Sequence, residues 1–378
     1  MSETILSLIN KSLFGTVFEV DKDADYAAAM QEARAQAVVG LVAPVIPESF
    51  REEWSPYANQ IIINYIRNMH AQDELLRVFS TAGISVAILK GAAAAVYYPV
   101  PSRRTMGDID FIVPQDRFED ACALMKANGY AVSHLEEEKY RHIGYSKGGV
   151  SFELHHHFSY VDLDIENYIT EGMNSLEIRS FDGHTFPMLP PLANGLVLLA
   201  HMRSHLKSGL GLRQLIDWMM YVDKVLDDAF WKGQFHAAAK EKRLETLAIV
   251  ATRLCQMYLG LSERITWCKG ADEELCETLL DSLLESGNFG RKHGDGGKVE
   301  TVATGMRSKG VFSYLQSAGE YNWKAYHKHK WLKPFAWLYQ IFRYIRQAFS
   351  AHRGGKAISK DLDRSKARYE MLKRLGIE

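Results

Sequence analysis

The acidic residues Asp108, Asp110 and Glu153 have the types and the spacing that a metal site needs. The two aspartates stand in the run GDIDFIV, and the glutamate follows in VSFELHHHF. Residues two apart on a strand share one face, so we expect both aspartates to project together while Ile109 and Phe111 enter the core. Carboxylate oxygens are the ligands that Mg²⁺ prefers. Two such ions can clamp the attacking and leaving oxygens of a phosphoryl displacement, so the pattern predicts metal-dependent phosphoryl transfer.

The segments around these carboxylates occur in an order that is specific when taken together. They are LKGAAAA, VYYP, RRTMGDIDFIV and FELHH, with the specific core at 89–113. Over about residues 60–225 the chain resembles the bacterial uncharacterised nucleotidyltransferase family of the DNA polymerase β-like nucleotidyltransferase superfamily. The resemblance implies an α+β fold, in which helical regions flank a core of a small mixed sheet with helices. It also implies transfer of a nucleoside monophosphate from an NTP to an acceptor hydroxyl or phosphate, with release of pyrophosphate.

The resemblance assigns roles to individual residues. Asp108, Asp110 and Glu153 would bind the catalytic Mg²⁺ or Mn²⁺ ions, and Glu153 would also accept the proton of the attacking hydroxyl. Lys90 and Gly91 would contact the phosphates through their backbone N–H groups, at the N-terminus of a helix where the helix dipole is positive. The residue after this glycine is alanine, where the wider superfamily usually has serine or glycine, so a hydroxyl contact to phosphate is missing.

Further candidate nucleotide-binding residues lie next to these motifs. The guanidinium group pairs well with phosphate oxygens, so Arg103 and Arg104 are either triphosphate contacts or exposed loop charges. Gly107 belongs to the same motif as the aspartates. Strand alternation puts His155 on the same face as Glu153, where it could orient that carboxylate or contact the substrate.

A helical segment after residue 190 supplies a second group of candidates. His201 and His205 lie four apart, a spacing that could hold zinc, but no H-E-x-x-H glutamate stands between them. The resemblance places this segment in a helical domain that closes over the nucleotide. Lys207, Arg213 and Asp217 are then cleft candidates together with the two histidines. Asp217 could equally form an internal ion pair with Arg213.

The hydrophobic pattern divides the chain into five regions. Apolar residues at helical spacing predict helices before residue 83, and strands alternating with helices predict the nucleotidyltransferase core. Two strands around the turn Lys147–Gly149 are expected to form a hairpin within that core. The expected regions are 1–82 (helical), 83–190 (core), 191–287 (helical domain walling the cleft), 288–309 (Gly-rich loop) and 310–378 (basic, aromatic, helical).

The C-terminal region combines positive charge with an apolar helix face. Residues 321–360 contain nine Lys or Arg and no Asp or Glu. Its apolar residues at helical spacing are Trp331, Phe335, Leu338, Phe342, Ile345 and Phe349. Such a helix can dock on the body of the protein, lie on an anionic membrane surface, or bind RNA through stacking and phosphate contacts.

The composition excludes several classes of protein. The chain has 378 residues, 47% hydrophobic and 24% charged, which is ordinary for a globular protein. Forty-five Lys and Arg against 46 Asp and Glu leave a net charge of −1, so nucleic-acid contact is expected only locally. Four cysteines without a C-x-x-C pair argue against a zinc ribbon or a disulfide scaffold. No Walker A or G-x-G-x-x-G pattern is present to support a P-loop or Rossmann protein.

Location and the alternative functions follow from the same features. The N-terminal residues lack the basic and apolar regions of a signal peptide, and no apolar run is long enough to span a membrane. We therefore expect a cytoplasmic protein, with peripheral membrane contact left open. The acceptor is expected to be a small molecule or a sugar. The alternatives are a catalytically inactive nucleotide-binding or scaffolding module, and transfer to a protein or RNA.

Overall fold

A seven-stranded mixed sheet with helices packed around it forms the protein, which confirms the expected α+β class. The computed structural model describes residues 2–15, 24–134, 142–158, 163–206, 209–288, 292, 296–323, 325–326, 329–350 and 355–377. The strands are β1 (Ala87–Leu89), β2 (Ile109–Ile112), β3 (Ala131–His134), β4 (His142–Lys147), β5 (Val150–His155), β6 (Glu177–Phe181) and β7 (His184–Met188). Their order across the sheet is β3-β4-β5-β2-β1-β7-β6.

Helices precede, interrupt and follow the sheet. They are α1 (Ser2–Phe14), α2 (Tyr26–Ala35), α3 (Val39–Val42), α4 (Arg51–Thr81), α5 (Gly91–Ala95), α6 (Phe118–Ala127), α7 (Glu166–Met173), α8 (Pro191–Leu206), α9 (Leu212–Lys224), α10 (Asp228–Phe230), α11 (His236–Glu241), α12 (Glu245–Leu259), α13 (Glu273–Ser286), α14 (Gly296–Lys309), α15 (Val311–Asn322), α16 (Ala336–Ser350) and α17 (Gly355–Arg374). Within the described residues, no helix combines the length and the apolar character needed to cross a membrane.

The register of the central strands aligns the residues with catalytic potential. Strand β2 runs parallel to β5 and antiparallel to β1, so Asp110 lies between Leu89 and Glu153. Phe111 is fully buried and meets Phe79 of α4 edge-on, with 5.5 Å between ring centroids. Because successive side chains alternate, Asp110 projects from the sheet face opposite to the one that α4 covers.

The hairpin expected from the sequence is present. Strands β4 and β5 pair antiparallel, and the turn between them contains Gly148 and Gly149 at φ values of +57° and +74°. Glycine adopts such conformations without a Cβ clash, so the turn fixes the register of the hairpin. His142 consequently lies opposite His155 at the far end of the two strands.

The segment 288–309, expected as a Gly-rich loop, is helical over the residues of α14. The prediction of a loop is therefore wrong for Gly296–Lys309. Helix α14 packs against α17. Glycine lowers the intrinsic helix propensity of a segment by up to about 1 kcal/mol per residue, and tertiary packing of this kind can override that preference.

The close packing of α8 on α9 depends on Gly195. A Cβ at this position would lie 2.5 Å from Oη of Tyr221 and 2.6 Å from Cε2 of Phe235. Neither neighbour can move freely, since both are fully buried and Tyr221 Oη donates a hydrogen bond to the carbonyl of Pro191 at 2.8 Å. We therefore expect Gly195→Ala to lower the free energy of unfolding by about 1–3 kcal/mol through overpacking.

Urea denaturation monitored by circular dichroism measures this effect. The matched control is Gly233→Ala, because a Cβ at Gly233 meets no atom within 4 Å. The control should leave the free energy of unfolding within about 0.5 kcal/mol of the wild type. Equal effects of the two substitutions would contradict the packing argument.

Candidate active site

Asp110 is the most deeply buried acidic group of the site. Its side chain is 6% exposed, and its Oδ1 lies 2.6 Å from Nζ of Lys90 and 2.9 Å from Nε2 of His155. Burial alone would raise the pKa of Asp110. The charge of Lys90 and the hydrogen bond with His155 outweigh burial and hold that pKa well below its usual range. Asp110 is therefore ionised throughout the physiological pH range.

Lys90 reaches this carboxylate from an unusual backbone conformation. It lies between β1 and α5 with φ of +48° and ψ of −119°, where L-residues are rare. Such conformations cost on the order of 1–3 kcal/mol and cluster at functional sites. The Lys90 ammonium group, which the sequence suggested as a phosphate contact, is ion-paired with Asp110 in this structure.

Glu153 lies beside Asp110 with its charge poorly compensated. Its carboxylate oxygens are 3.6 Å from Nε2 of His155 and 3.6 Å from Nε2 of His142. Burial, followed by the negative charges of Asp110 and Asp108, raises the pKa of Glu153 to about 10. Neighbouring carboxylates of this kind favour the binding of a cation, because its positive charge would allow Glu153 to ionise.

The donor atoms that could hold a metal ion belong to Asp110, Glu153 and His155. One ligand atom from each lies within 4.8 Å of the others. Burial lowers the pKa of His155 to about 4, so its imidazole is neutral and able to ligate a metal. Two carboxylates and one imidazole suit Mn²⁺, and the carboxylates suit Mg²⁺.

The cluster differs in one member from the expected trio of carboxylates. Asp108 was expected to project with Asp110 and to complete that trio with Glu153. In the structure Asp108 is exposed and lies in a bend directly before β2, and His155 joins Asp110 and Glu153 in the cluster. Asp108 nevertheless lines the cleft beside Asp110, and its negative charge contributes to the raised pKa of Glu153, so its role as a metal ligand stays a prediction. Strand alternation correctly placed His155 beside Glu153.

The charges of Lys90 and Asp110 affect the pKa values of two histidines of α8. His201 and His205 are half-buried, and their Nε2 atoms are 2.9 Å apart. Burial and then the charge of Lys90 lower the pKa of His205 to about 3, while burial and then His205 itself lower the pKa of His201. Both imidazoles are therefore neutral at physiological pH.

Helix α9 supplies Arg213, whose Nη1 donates to the carbonyl of Thr105 at 3.3 Å. The charge of Asp108 acts on the pKa of Arg213, so the two groups are near one another. Burial lowers the pKa of this guanidinium below its ordinary value. Lys207, the remaining candidate from this part of the sequence, lies outside the described residues.

Arg104 has a structural contact that the sequence did not predict. It is 3% exposed, and its Nε and Nη2 each donate to Asp217 at 2.7 Å. Tyr98 donates to the same carboxylate, also at 2.7 Å. Asp217 therefore pairs with Arg104, and Arg104 is not an exposed loop charge.

A small cleft adjoins Asp110, and further candidates line or approach it. Asn68, Gly91, Asp108 and Asp110 are among its lining residues. Asn68, which sequence analysis did not select, donates from Nδ2 to the carbonyl of Gly107 at 2.8 Å. Arg103 is half-exposed.

His142 is a second residue that sequence analysis missed. It comes within 3.6 Å of Glu153 because it lies opposite His155 in the β4–β5 hairpin. The sequence contained the signal for this contact, since the Gly148-Gly149 turn sets the register of the hairpin. Counting from that turn along both strands would have placed His142 next to the site.

Comparison with known proteins shows a family to which the sequence matches and a solved structure to which it is similar. Residues 23–260 match the model of a family described as uncharacterised nucleotidyltransferase. No curated protein gives a significant match. A crystal structure of an antigenic nucleotidyltransferase-like protein from Paracoccidioides brasiliensis is 13% identical, covers 52% of this chain and 93% of its own, and superposes with a TM-score of 0.32. A TM-score this low does not establish a shared fold.

Proposed function

The chain belongs to the uncharacterised nucleotidyltransferase family, and we propose that it transfers a nucleoside monophosphate from an NTP to an acceptor hydroxyl or phosphate. Pyrophosphate is the leaving group. The observation that carries the proposal is the cluster of Asp110, Glu153 and His155, whose ligand atoms lie within 4.8 Å of one another. We also assign the sheet to the polymerase β-like type, because adjacent parallel strands supply the two carboxylates.

Asp110, Glu153 and His155 are the residues that would hold Mg²⁺ or Mn²⁺. The bound ion supplies charge neutralisation for the triphosphate and for the developing charge of the transition state. Asp110 is already ionised, whereas Glu153 resists ionisation until positive charge arrives. Asp108 lines the cleft next to Asp110 and would supply a further carboxylate to the metal or its bound nucleotide.

The protein groups around the cluster would position both reactants. Lys90 presents a buried ammonium group next to Asp110, and Gly91 lines the adjoining cleft, so both suit contact with phosphates. Once a bound cation has allowed Glu153 to ionise, its carboxylate would lie next to the metal, where it could accept the proton of the attacking hydroxyl. Positioning and electrostatics of this kind account for most of the catalysis in phosphoryl transfer.

Calorimetric titration with non-hydrolysable NTPs tests the proposal. We expect wild-type protein to bind at least one NTP in the presence of Mg²⁺ and to lose that binding when a chelator removes the metal. The variant Asp110→Asn, Glu153→Gln should bind neither the metal nor the metal–nucleotide complex, because two of the three ligands have lost their charge.

A matched control removes the same charge from the surface. Asp116 and Glu119 are exposed, and the variant Asp116→Asn, Glu119→Gln should bind the nucleotide as the wild type does. If folded wild-type protein bound no NTP in the presence of Mg²⁺ or Mn²⁺, donor binding at this site would be refuted. Equal weakening by the two double variants would point to net charge as the cause.

A further inference from the structure

Helix α16 presents an apolar outer face to solvent. Phe342 and Ile345 of the helix are 69% and 46% exposed, Leu338 is half-buried, and Phe335, the last residue of the 3₁₀ turn that leads into the helix, is 49% exposed. The spacing of three, four and three residues puts all four on one side of the helix, and we call them the α16 outer face.

The opposite side of α16 packs on α15. Ala336 and Gln340 are fully buried, and the backbone of Ala336 closely approaches Gly319 of α15. Tyr339 of α16 stacks on Trp323, with 5.2 Å between ring centroids. The orientation of α16 is therefore fixed by its own packing, and the α16 outer face remains exposed in the described part of the chain.

The apolar face is bordered by positive charge. Arg346 is exposed and Arg343 half-exposed on α16, while Lys330 and Lys333 lie exposed in the preceding 3₁₀ turn. The turn also carries Trp331, which is 72% exposed. Residues 321–360 contain no acidic residue although the whole chain has a net charge of −1, so the positive charge is concentrated here.

We propose that the α15–α16 hairpin docks on an anionic lipid surface, with the α16 outer face inserted at the level of the headgroups. Exposed aromatic and aliphatic side chains on one face, flanked by Lys and Arg, are the features of helices that lie in a membrane interface. The basic side chains then contact anionic headgroups, and Trp331 suits the boundary between acyl chains and water.

Other occupants fit this face less well. Two copies packed through it would bring Arg343 and Arg346 close to the same charges of the partner, which is unfavourable. Single-stranded nucleic acid binds through successive stacked aromatic rings in a basic groove, whereas the two rings of this face, Phe335 and Phe342, are interrupted by the aliphatic side chains of Leu338 and Ile345. An anionic lipid surface matches both the aliphatic content and the charge.

Vesicle co-sedimentation of the full chain tests the proposal. We expect binding to phosphatidylcholine vesicles that contain phosphatidylglycerol to exceed binding to pure phosphatidylcholine by about tenfold or more, and to weaken as salt is added. The variant Phe342→Ser, Ile345→Ser should reduce binding to the anionic vesicles by about tenfold or more through loss of apolar insertion. Circular dichroism should show an unchanged helix content, because both side chains are exposed.

The control variant removes two exposed apolar side chains elsewhere. Ile62 and Ile66 of α4 are 44% and 59% exposed, and Ile62→Ser, Ile66→Ser should bind anionic vesicles as the wild type does. A second variant, Arg343→Gln, Arg346→Gln, should lose most of the preference for anionic over neutral vesicles.

Several results would overturn the proposal. One is equal binding to anionic and neutral vesicles, and another is equal loss of binding in the α4 control. A wild-type dimer that Phe342→Ser, Ile345→Ser converts to a monomer, without any vesicle binding, would assign the face to a second copy. Binding of a single-stranded RNA oligonucleotide that the same variant abolishes, again without vesicle binding, would assign it to nucleic acid.

Discussion

Neutralising the two carboxylates of the cluster should change stability in opposite directions. In metal-free buffer, we expect Asp110→Asn to lower the free energy of unfolding by about 3–5 kcal/mol, because the ammonium group of Lys90 would stay buried without its counter-charge. We expect Glu153→Gln to raise it by about 1–2 kcal/mol, because its carboxyl group is crowded by Asp110 and Asp108. Both variants should abolish metal-dependent nucleotide binding.

The direction of each pKa shift determines how the free energy of unfolding changes with pH. Since the pKa of Glu153 rises from its ordinary value of 4.5 to about 10 on folding, the folded protein binds more protons than the unfolded chain in that interval. The contribution of Glu153 to stability is therefore present below pH 4.5 and is lost as the pH rises towards 10. Asp110 shows the opposite behaviour, because its lowered pKa favours the fold at every pH above its ordinary pKa of 3.8.

Urea unfolding at about pH 5 and about pH 8, with a chelator present, measures both effects. The advantage of Glu153→Gln over the wild type should grow between the two values, whereas the deficit of Asp110→Asn should stay nearly constant. A gain of stability with loss of binding identifies a residue kept for function at a cost in stability. Destabilisation by Glu153→Gln at both pH values would contradict the electrostatic account.

The placement of Glu153 and His155 could be predicted because it depends on local rules. A short β-branched strand, a glycine turn and alternating side chains put Glu153 and His155 on one face. The start of β2 is less predictable, since element boundaries cannot be assigned to within one position from sequence. Asp108 lies one residue before β2 and lines the cleft beside Asp110, so its ligation of a metal stays a prediction.

The contacts made by Lys90 and Arg104 could not be predicted in the same way. Lys90 reaches Asp110 through a positive φ value that nothing in the sequence signals, because glycine is the residue expected in that conformation. Arg104 and Asp217 are 113 residues apart, and their pairing requires α9 to pack beside the loop before β2. Such contacts depend on the tertiary arrangement of elements, which a single sequence does not specify.

Breaking the buried pair of Arg104 and Asp217 should lower the free energy of unfolding about as much as Asp110→Asn does. Asp217→Asn leaves the guanidinium of Arg104 buried without a counter-charge and replaces the charged acceptor of Tyr98 by a neutral amide. Removing one partner of a buried ion pair typically costs about 3–5 kcal/mol. Urea unfolding at neutral pH should show a loss of this size.

Two comparisons separate a structural role of this pair from a role in binding. Glu273→Gln removes a mostly exposed partner of Arg253 and should cost less than about 1 kcal/mol. Replacing both members of the pair, in Arg104→Met with Asp217→Asn, should restore part of the stability, because the uncompensated charge is gone.

If Arg104 only positions the loop before β2, the double variant still binds NTP and Mg²⁺ when folded. Loss of that binding in a stable double variant would instead make Arg104 a nucleotide contact.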